Sequence, residues 1–166
     1  MTNPQHAIRE PVALLIPGDP VAKGRPRVYH GHGVTPQRTR DAESVIQRLF
    51  REEFPGFTPY ECRIIVTCEF WMRRKGKPDC DNLIKLCTDA LNGIAYQDDE
   101  QIEIITGRRY LPDSRIQTEH GWRWRRSKDP CTYYGTPYEP HTLIHITPIN
   151  NCADHLFRPT RKSKNT

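Results

Sequence analysis

The spacing of apolar and polar residues changes period several times along the chain, and each change marks an element. Residues 11–17 (PVALLIP) form an apolar run too short for a helix, which reads as a buried strand ending at the Gly18-Asp19-Pro20 turn. Residues 27–30 and 33–35 flank His30-Gly31-His32-Gly33, the expected tip of a hairpin. Thr35-Pro36 reads as a helix start, with a hydroxyl N-cap and proline at the first helical position. Ala42, Val45, Ile46, Leu49, Phe50 and Phe54 then recur at helical spacing through about Glu53. From Glu61 to Trp71 the period drops to two, with Cys62, Ile64, Val66, Cys68 and Phe70 on one face of a strand. Leu83, Ile84, Leu86, Cys87, Ala90 and Leu91 mark a second amphipathic helix, stopped by Asn92-Gly93. Residues 101–110 alternate again, placing Ile102, Ile104 and Thr106 together, and residues 142–149 form a last strand.

Two stretches resist this reading. Residues 112–140 are rich in aromatic, proline and arginine residues and show no clear period. Residues 151–166 are basic and polar and are expected to be a disordered tail. The expected organisation is one domain over 1–150 with an irregular insertion at about 112–140. Its class is α+β: a small mixed or antiparallel sheet with two main helices.

Composition narrows the setting. The 166 residues are 36% apolar, a low share that suits a modest core beside irregular segments. No apolar run approaches the roughly 20 residues that cross a bilayer, and the N-terminus lacks a signal-peptide stretch, so a soluble, cytoplasmic protein is expected. The six cysteines form no CxxC pair and read as reduced thiols. The net charge of +5 says less than its distribution. Residues 21–40 hold five basic residues and no acid, whereas residues 78–103 hold seven acids and one base, Lys85. Two opposite fields on one small domain suit a polyanion held by one part and a cation held by the other.

The acids deserve reading in pairs. Asp79 and Asp81 lie two apart at the start of the second helix, a spacing that in an extended segment puts both side chains on one side. Asp98 and Asp99 follow the helix. Taken alone, the first pair reads as an N-cap and the second as a solvated turn. Taken together, three or four carboxylates at one spot need a hard cation among them, and magnesium takes such oxygens while keeping waters for a phosphate to share. The second pair reaches the first only if residues 93–97 double back along the helix. Lys85 lies four residues after Asp81 and four before Asp89, so it is either one rung of a surface charge ladder or a ligand for a cleaved phosphate.

These residues resemble a known family. Lys77-Pro-Asp79-Cys-Asp81-Asn82 with Lys85, then Asp89-Ala-Leu-Asn-Gly93, then Asp98-Asp99 with Gln101, is similar to the KPDxDN, lysine, DALNG and DD-x-Q motifs of the RusA Holliday junction resolvases. Pro20-Val-Ala-Lys23-Gly-Arg25-Pro-Arg27 and Thr35-Pro36 resemble the family's N-terminal PxxKGRPR and TP motifs. The resemblance covers about residues 12–110 and resumes in the last strand; the stretch from Pro112 to Pro140 departs from it. It implies a homodimer that cuts four-way DNA junctions by paired phosphodiester hydrolysis, with Mg2+ as cofactor and Mn2+ able to substitute. Carried over, it makes Asp79, Asp81 and Asp99 the metal-binding catalytic acids, Asp98 an auxiliary metal acid, and Lys85 the catalytic lysine. The implied setting is recombination and repair in a bacterial cell or a phage-infected host.

Basic residues then become candidates for DNA binding. Lys23, Arg25 and Arg27 alternate in an extended stretch and would aim one way as a rake for phosphates. Arg73, Arg74, Lys75 and Lys77 lead directly into Asp79. Trp122-Arg123-Trp124-Arg125-Arg126 mixes aromatic and basic residues, as stacking surfaces for unpaired bases do, although tryptophans buried in a local core would read the same. His30 and His32 read as turn residues. Two rival functions stand beside the resolvase: a DNA-binding module without cleavage, and a metal nuclease acting on flaps or single strands.

Overall fold

A computed structural model describes residues 9–29 and 32–149. His30 and Gly31 at the expected hairpin tip, and the expected tail at 151–166, lie outside the described residues. In chain order the elements are β1 (Val12–Pro17), β2 (Arg27–Tyr29), β3 (His32–Val34), α1 (Gln37–Glu53), β4 (Ile64–Trp71), α2 (Cys80–Leu91), a 3-10 turn (Asp99–Gln101), β5 (Ile102–Tyr110), β6 (Arg115–Thr118), β7 (Gly121–Trp124), β8 (Cys131–Tyr133), β9 (Thr136–Tyr138) and β10 (His141–Pro148). This is an α+β architecture.

The four long strands form the central sheet in the order β1-β10-β4-β5. β10 runs antiparallel to both β1 and β4, while β5 pairs parallel to β4. The parallel step follows from α2, which carries the chain back along the sheet between the two strands. The mixed sheet buries one face. Ile64, Val66, Cys68 and Phe70 of β4, Ile144 and Ile146 of β10 and Leu14 of β1 pack with Ile46 and Phe50 of α1 and Leu83, Leu86, Cys87, Ala90 and Leu91 of α2. Phe50, Phe54, Phe57 and Tyr60 pack ring against ring, with successive centroids 5.0–6.0 Å apart, where the chain passes from α1 to β4.

Three sequence expectations change. First, α1 begins one residue later than the Thr35-Pro36 signal suggests. Pro36 is itself the N-cap, extended at ψ 143° and without a side-chain cap, and its carbonyl accepts from the N–H groups of Thr39 and Arg40. Second, Ile102, Ile104 and Thr106 do not share a face. The register slips between Ile64/Ile102 and Ile65/Ile104, so one extra β5 residue opposes β4. Ile102 packs on the core while Ile104 and Thr106 turn to the other face, where the Thr106 and Thr67 hydroxyls are 3.1 Å apart. Third, residues 112–140 are not irregular. They form two antiparallel hairpins, β6–β7 and β8–β9, outside the main sheet. Strands of three or four residues repeat their alternation too few times to be read from sequence.

The slip also sets Gly107 beneath α2. A Cβ at this position would lie 2.4 Å from Ile84 Cδ1 and 3.2 Å from Cys80 Sγ. Close seating of the first turns of α2 on the sheet therefore requires glycine here. Gly107→Val should lower unfolding free energy by about 1–3 kcal/mol, the usual cost of overpacking. Ile84→Ala in the same chain should recover part of that loss. Urea denaturation of the two single variants and the double variant checks this, and strictly additive losses would place the added methyls elsewhere.

Candidate active site

The acidic segment begins where the basic loop meets α2. Asp79 is the N-cap of α2, extended at φ −72° and ψ 151°, and its carbonyl accepts from the Leu83 N–H at 3.3 Å. Its carboxylate makes no capping bond, and Asp81 lies in the first helical turn. Both side chains are exposed. Asp81 is already helical, so the two-residue spacing acts across a helix cap, not along an extended strand. The helix start is anchored from β5: the Arg109 guanidinium donates to the Pro78 carbonyl at 2.7 Å and to that of Gly76.

Asp98 and Asp99 stand at the other end of α2. Gly93, at φ +75°, reverses the chain, and its N–H donates to the Tyr96 carbonyl at 2.8 Å. Gln101, fully buried, then ties the turn to the sheet. Its side-chain oxygen accepts from the Asp98 N–H at 2.9 Å, and its amide nitrogen donates to the carbonyls of Tyr60 and Cys62, each at 2.8 Å. Asp98 in return accepts from the Glu100 N–H at 3.0 Å. Partial burial, a hydrogen bond with Asp98 and the negative charges of Asp98 and Asp89 raise the Asp99 carboxyl above its ordinary range, against the opposing charge of Lys85.

The doubling-back of residues 93–97 thus brings Asp99 into the electrostatic range of Asp89 and Lys85. Asp81 and Asp89 are eight residues apart on α2, about 12 Å along its axis. Among the described residues no three His, Cys, Asp or Glu side chains gather closely enough to hold a metal ion. As donors the acids fit a hard cation, being carboxylates, and among the described residues Asp79 and Asp81 at one end of α2 are not engaged in capping or ion pairs.

The lysines divide differently from the sequence expectation. Lys23 donates to Asp89 and pairs with Glu43 at 3.3 Å, so its ammonium lies within the fold and does not project with Arg25. Burial acts to lower its pKa, but hydrogen bonds to and charges of Asp89 and Glu43 raise it overall. The Lys23 N–H also donates to the Asn82 carbonyl at 2.9 Å, which lays this arm along the start of α2. Lys85 is exposed and meets Asp89 at 3.4 Å, the ladder contact foreseen from spacing. Arg25 is exposed; the described residues give no side-chain placement for Arg27.

A groove of about 590 Å³ reaches Pro78, the residue before Asp79, and is lined also by Asp19, Gly24, Pro36, Arg38, Thr39, Arg74 and Lys77. Arg38 was not singled out from sequence, because its position on α1 gave no sign that the arm and the basic loop close over it. Lys75 donates to the Ser114 hydroxyl, so the basic loop also touches the start of the insertion. Within the insertion, Arg123 forms a two-pronged pair with Asp129 at 2.7 and 2.8 Å, and Arg125 donates to the Pro130 carbonyl at 3.1 Å. The Arg126 side chain is exposed, as are Trp122 and Trp124 at 63% and 69%. The two tryptophans are not buried in a local core.

Replacing Lys23 by methionine should lower stability by about 1–2 kcal/mol, since it leaves a half-buried Asp89 short of its cation. Arg25→Ala should leave the thermal midpoint unchanged. Equal midpoints for both variants would return Lys23 to the phosphate-facing set.

Comparison with known proteins adds one finding. No curated protein matches the chain. The profile of the family described as Endodeoxyribonuclease RusA matches residues 17–119, well over half of the sequence. The matched stretch includes the arm, Arg38, the basic loop, both acidic pairs and Lys85, and it ends before β7. The chain therefore belongs to the RusA family of endodeoxyribonucleases, the enzymes that resolve Holliday junctions.

Proposed function

We propose that this nuclease cuts four-way junctions as a Mg2+-dependent homodimer, with Asp79, Asp81 and Asp99 as metal-binding catalytic acids, Asp98 as an auxiliary acid and Lys85 at the scissile phosphate. The observation that carries the reading is the pair of exposed carboxylates of Asp79 and Asp81, which follow in sequence directly on Lys77 and Pro78, two residues lining a groove that also bears Arg38 and Arg74. Magnesium held by these carboxylates would activate a water for attack on phosphorus and offset charge on the phosphate; Mn2+ would substitute. The positive end of α2 lies beside Asp79 and would attract a phosphate there. Arg38, Arg74 and Lys77, with Arg25, Arg27, Arg73 and Lys75, would hold the phosphate backbone.

The length of α2 keeps Asp99 apart from Asp79 and Asp81 within one chain. A two-fold partner is a further source of acids, and a junction with two like strands to cut calls for two sites. The setting proposed is the cytoplasm of a bacterium or of a phage-infected host.

The test is cleavage of a mobile four-way junction, a flap and a plain duplex, each with and without Mg2+. Paired nicks in the junction alone support the reading; preferential cutting of the flap would favour the single-strand alternative. Asp79→Asn, Asp81→Asn and Asp99→Asn should each abolish cleavage and leave junction binding intact, and near-normal turnover in any one removes that residue from the metal set. Lys85→Ala should cut turnover by orders of magnitude with little change in melting, because its contact with Asp89 is an exposed helix pair contributing only ~0.3–0.5 kcal/mol. Sedimentation should give a species of about twice 19.4 kDa; a monomer at concentrations that support paired cutting would overturn the dimer.

A further inference from the structure

The insertion presents an inverted hairpin. In β6–β7 the register pairs Arg115 with Trp124 and Gln117 with Trp122, so these four side chains share one face. All four are exposed, while Ile116, Thr118 and Arg123 on the opposite face are partly buried. An ordinary hairpin buries its large apolar side chains; this one turns two indoles outward and an arginine inward. The inward arginine is held. Arg123 grips Asp129, whose carboxylate also accepts from the Arg126 N–H at 2.6 Å, and these bonds keep Asp129 well below the ordinary carboxylate range. Among the described residues no acid pairs with the outward arginine. The Arg115 guanidinium lies 5.4 Å from the Trp124 ring centroid, as in a cation–π contact.

We infer that the outward face of β6–β7, made of Trp122, Trp124, Arg115 and Gln117, is a stacking platform for unpaired nucleobases of single-stranded or locally opened DNA. Three features select this occupant. Two exposed indoles at alternate positions offer flat surfaces that any base can stack on. Positive charge surrounds them: Arg115, Arg126 and Lys128 are exposed on the same stretch, and Lys75 of the basic loop bonds to Ser114 next to Arg115. The insertion also meets the loop that borders the groove, since the Cys131 thiol of β8 contacts the Arg73 carbonyl and the Tyr138 hydroxyl of β9 donates to the Met72 carbonyl at the root of that loop. DNA held along the basic loop would pass Lys75 and Ser114 on its way to Arg115 and the indoles. This assigns the stacking to Trp122 and Trp124 with Arg115, and gives Arg123 and Arg125 the structural task of shaping the hairpin. It rests on the chain being a junction nuclease only in where the unpaired bases come from.

The test uses the full chain and intrinsic fluorescence, because only three tryptophans are present and the third, Trp71, stacks on Tyr110 in the sheet. Titration with an unlabelled oligothymidylate should quench the wild-type emission. Trp122→Ala/Trp124→Ala should lose that quenching and bind the oligonucleotide and the four-way junction at least tenfold more weakly, with an unchanged melting temperature. Trp122→Phe/Trp124→Phe should regain most of the affinity. Arg115→Ala should weaken binding and reduce its dependence on salt, whereas Arg123→Ala should lower the melting temperature. Unaltered DNA affinity in the alanine pair overturns the platform. So does a shift of that pair from dimer to monomer in sedimentation, which would make the face a contact between copies. Fluorescence and affinity are read without Mg2+. A wild type that quenches but cuts no junction with Mg2+ would count against the cleavage reading and leave the platform standing.

Discussion

One buried amide, that of Gln101, governs how the two halves of the fold meet. Its three bonds join the turn carrying Asp98 and Asp99 to the carbonyls of Tyr60 and Cys62 at the approach to β4. An apolar side chain in its place would leave those buried groups unpaired, at about 1–3 kcal/mol for each unsatisfied group. The same bonds fix where β5 starts against β4, and so where the register slips. The slip in turn aims Gly107 and Arg109 at the first turns of α2. Gly107 admits the helix, and Arg109 holds the carbonyls that precede Asp79. Both acidic pairs are thus positioned, at opposite ends of α2, by consequences of one side chain.

Charge follows the same economy. Asp89 lies between the acidic ends and is satisfied mainly by Lys23, which arrives from the N-terminal arm. That contact neutralises the last turn of α2 and, with the Lys23 N–H bond to Asn82, fastens the arm along the helix. Arg25, Arg38, Arg74 and Lys77 are left to face solvent around the groove. Opposite fields seen in the linear sequence become, in space, a basic groove reaching Pro78, next in sequence to the exposed Asp79. A phosphate chain and a hard cation are the two ligands such a border suits.

The long elements and the acidic motif were legible in the sequence because their periods repeat over many residues. β4 alternates for its whole length, and α2 keeps a clean apolar stripe. What escaped has a physical reason in each case. The β5 slip adds a single residue and swaps every later side chain to the other face, which local patterning cannot reveal. Lys23 looked like part of a phosphate rake because its acidic partners, Glu43 and Asp89, are 20 and 66 residues away. Arg38 gained its place in the groove only when three separated segments closed around it. The insertion defeated reading because its strands are short and its exposed face, not its buried one, carries the tryptophans.

The row formed by Tyr110, Trp71 and His141 has a further consequence. These residues are cross-strand neighbours at the ends of β5, β4 and β10, and their rings stack, with Trp71 centroid distances of 4.1 Å to Tyr110 and 5.5 Å to His141. The insertion leaves the sheet just after the first of them and returns just at the last. To the sheet, everything between is a closed excursion whose two feet are already clamped side by side. Its length and contents can change without moving the strands that frame the acids. Such a layout makes the excursion a cassette that can be lengthened, trimmed or exchanged while the sheet beside the acids stays in place.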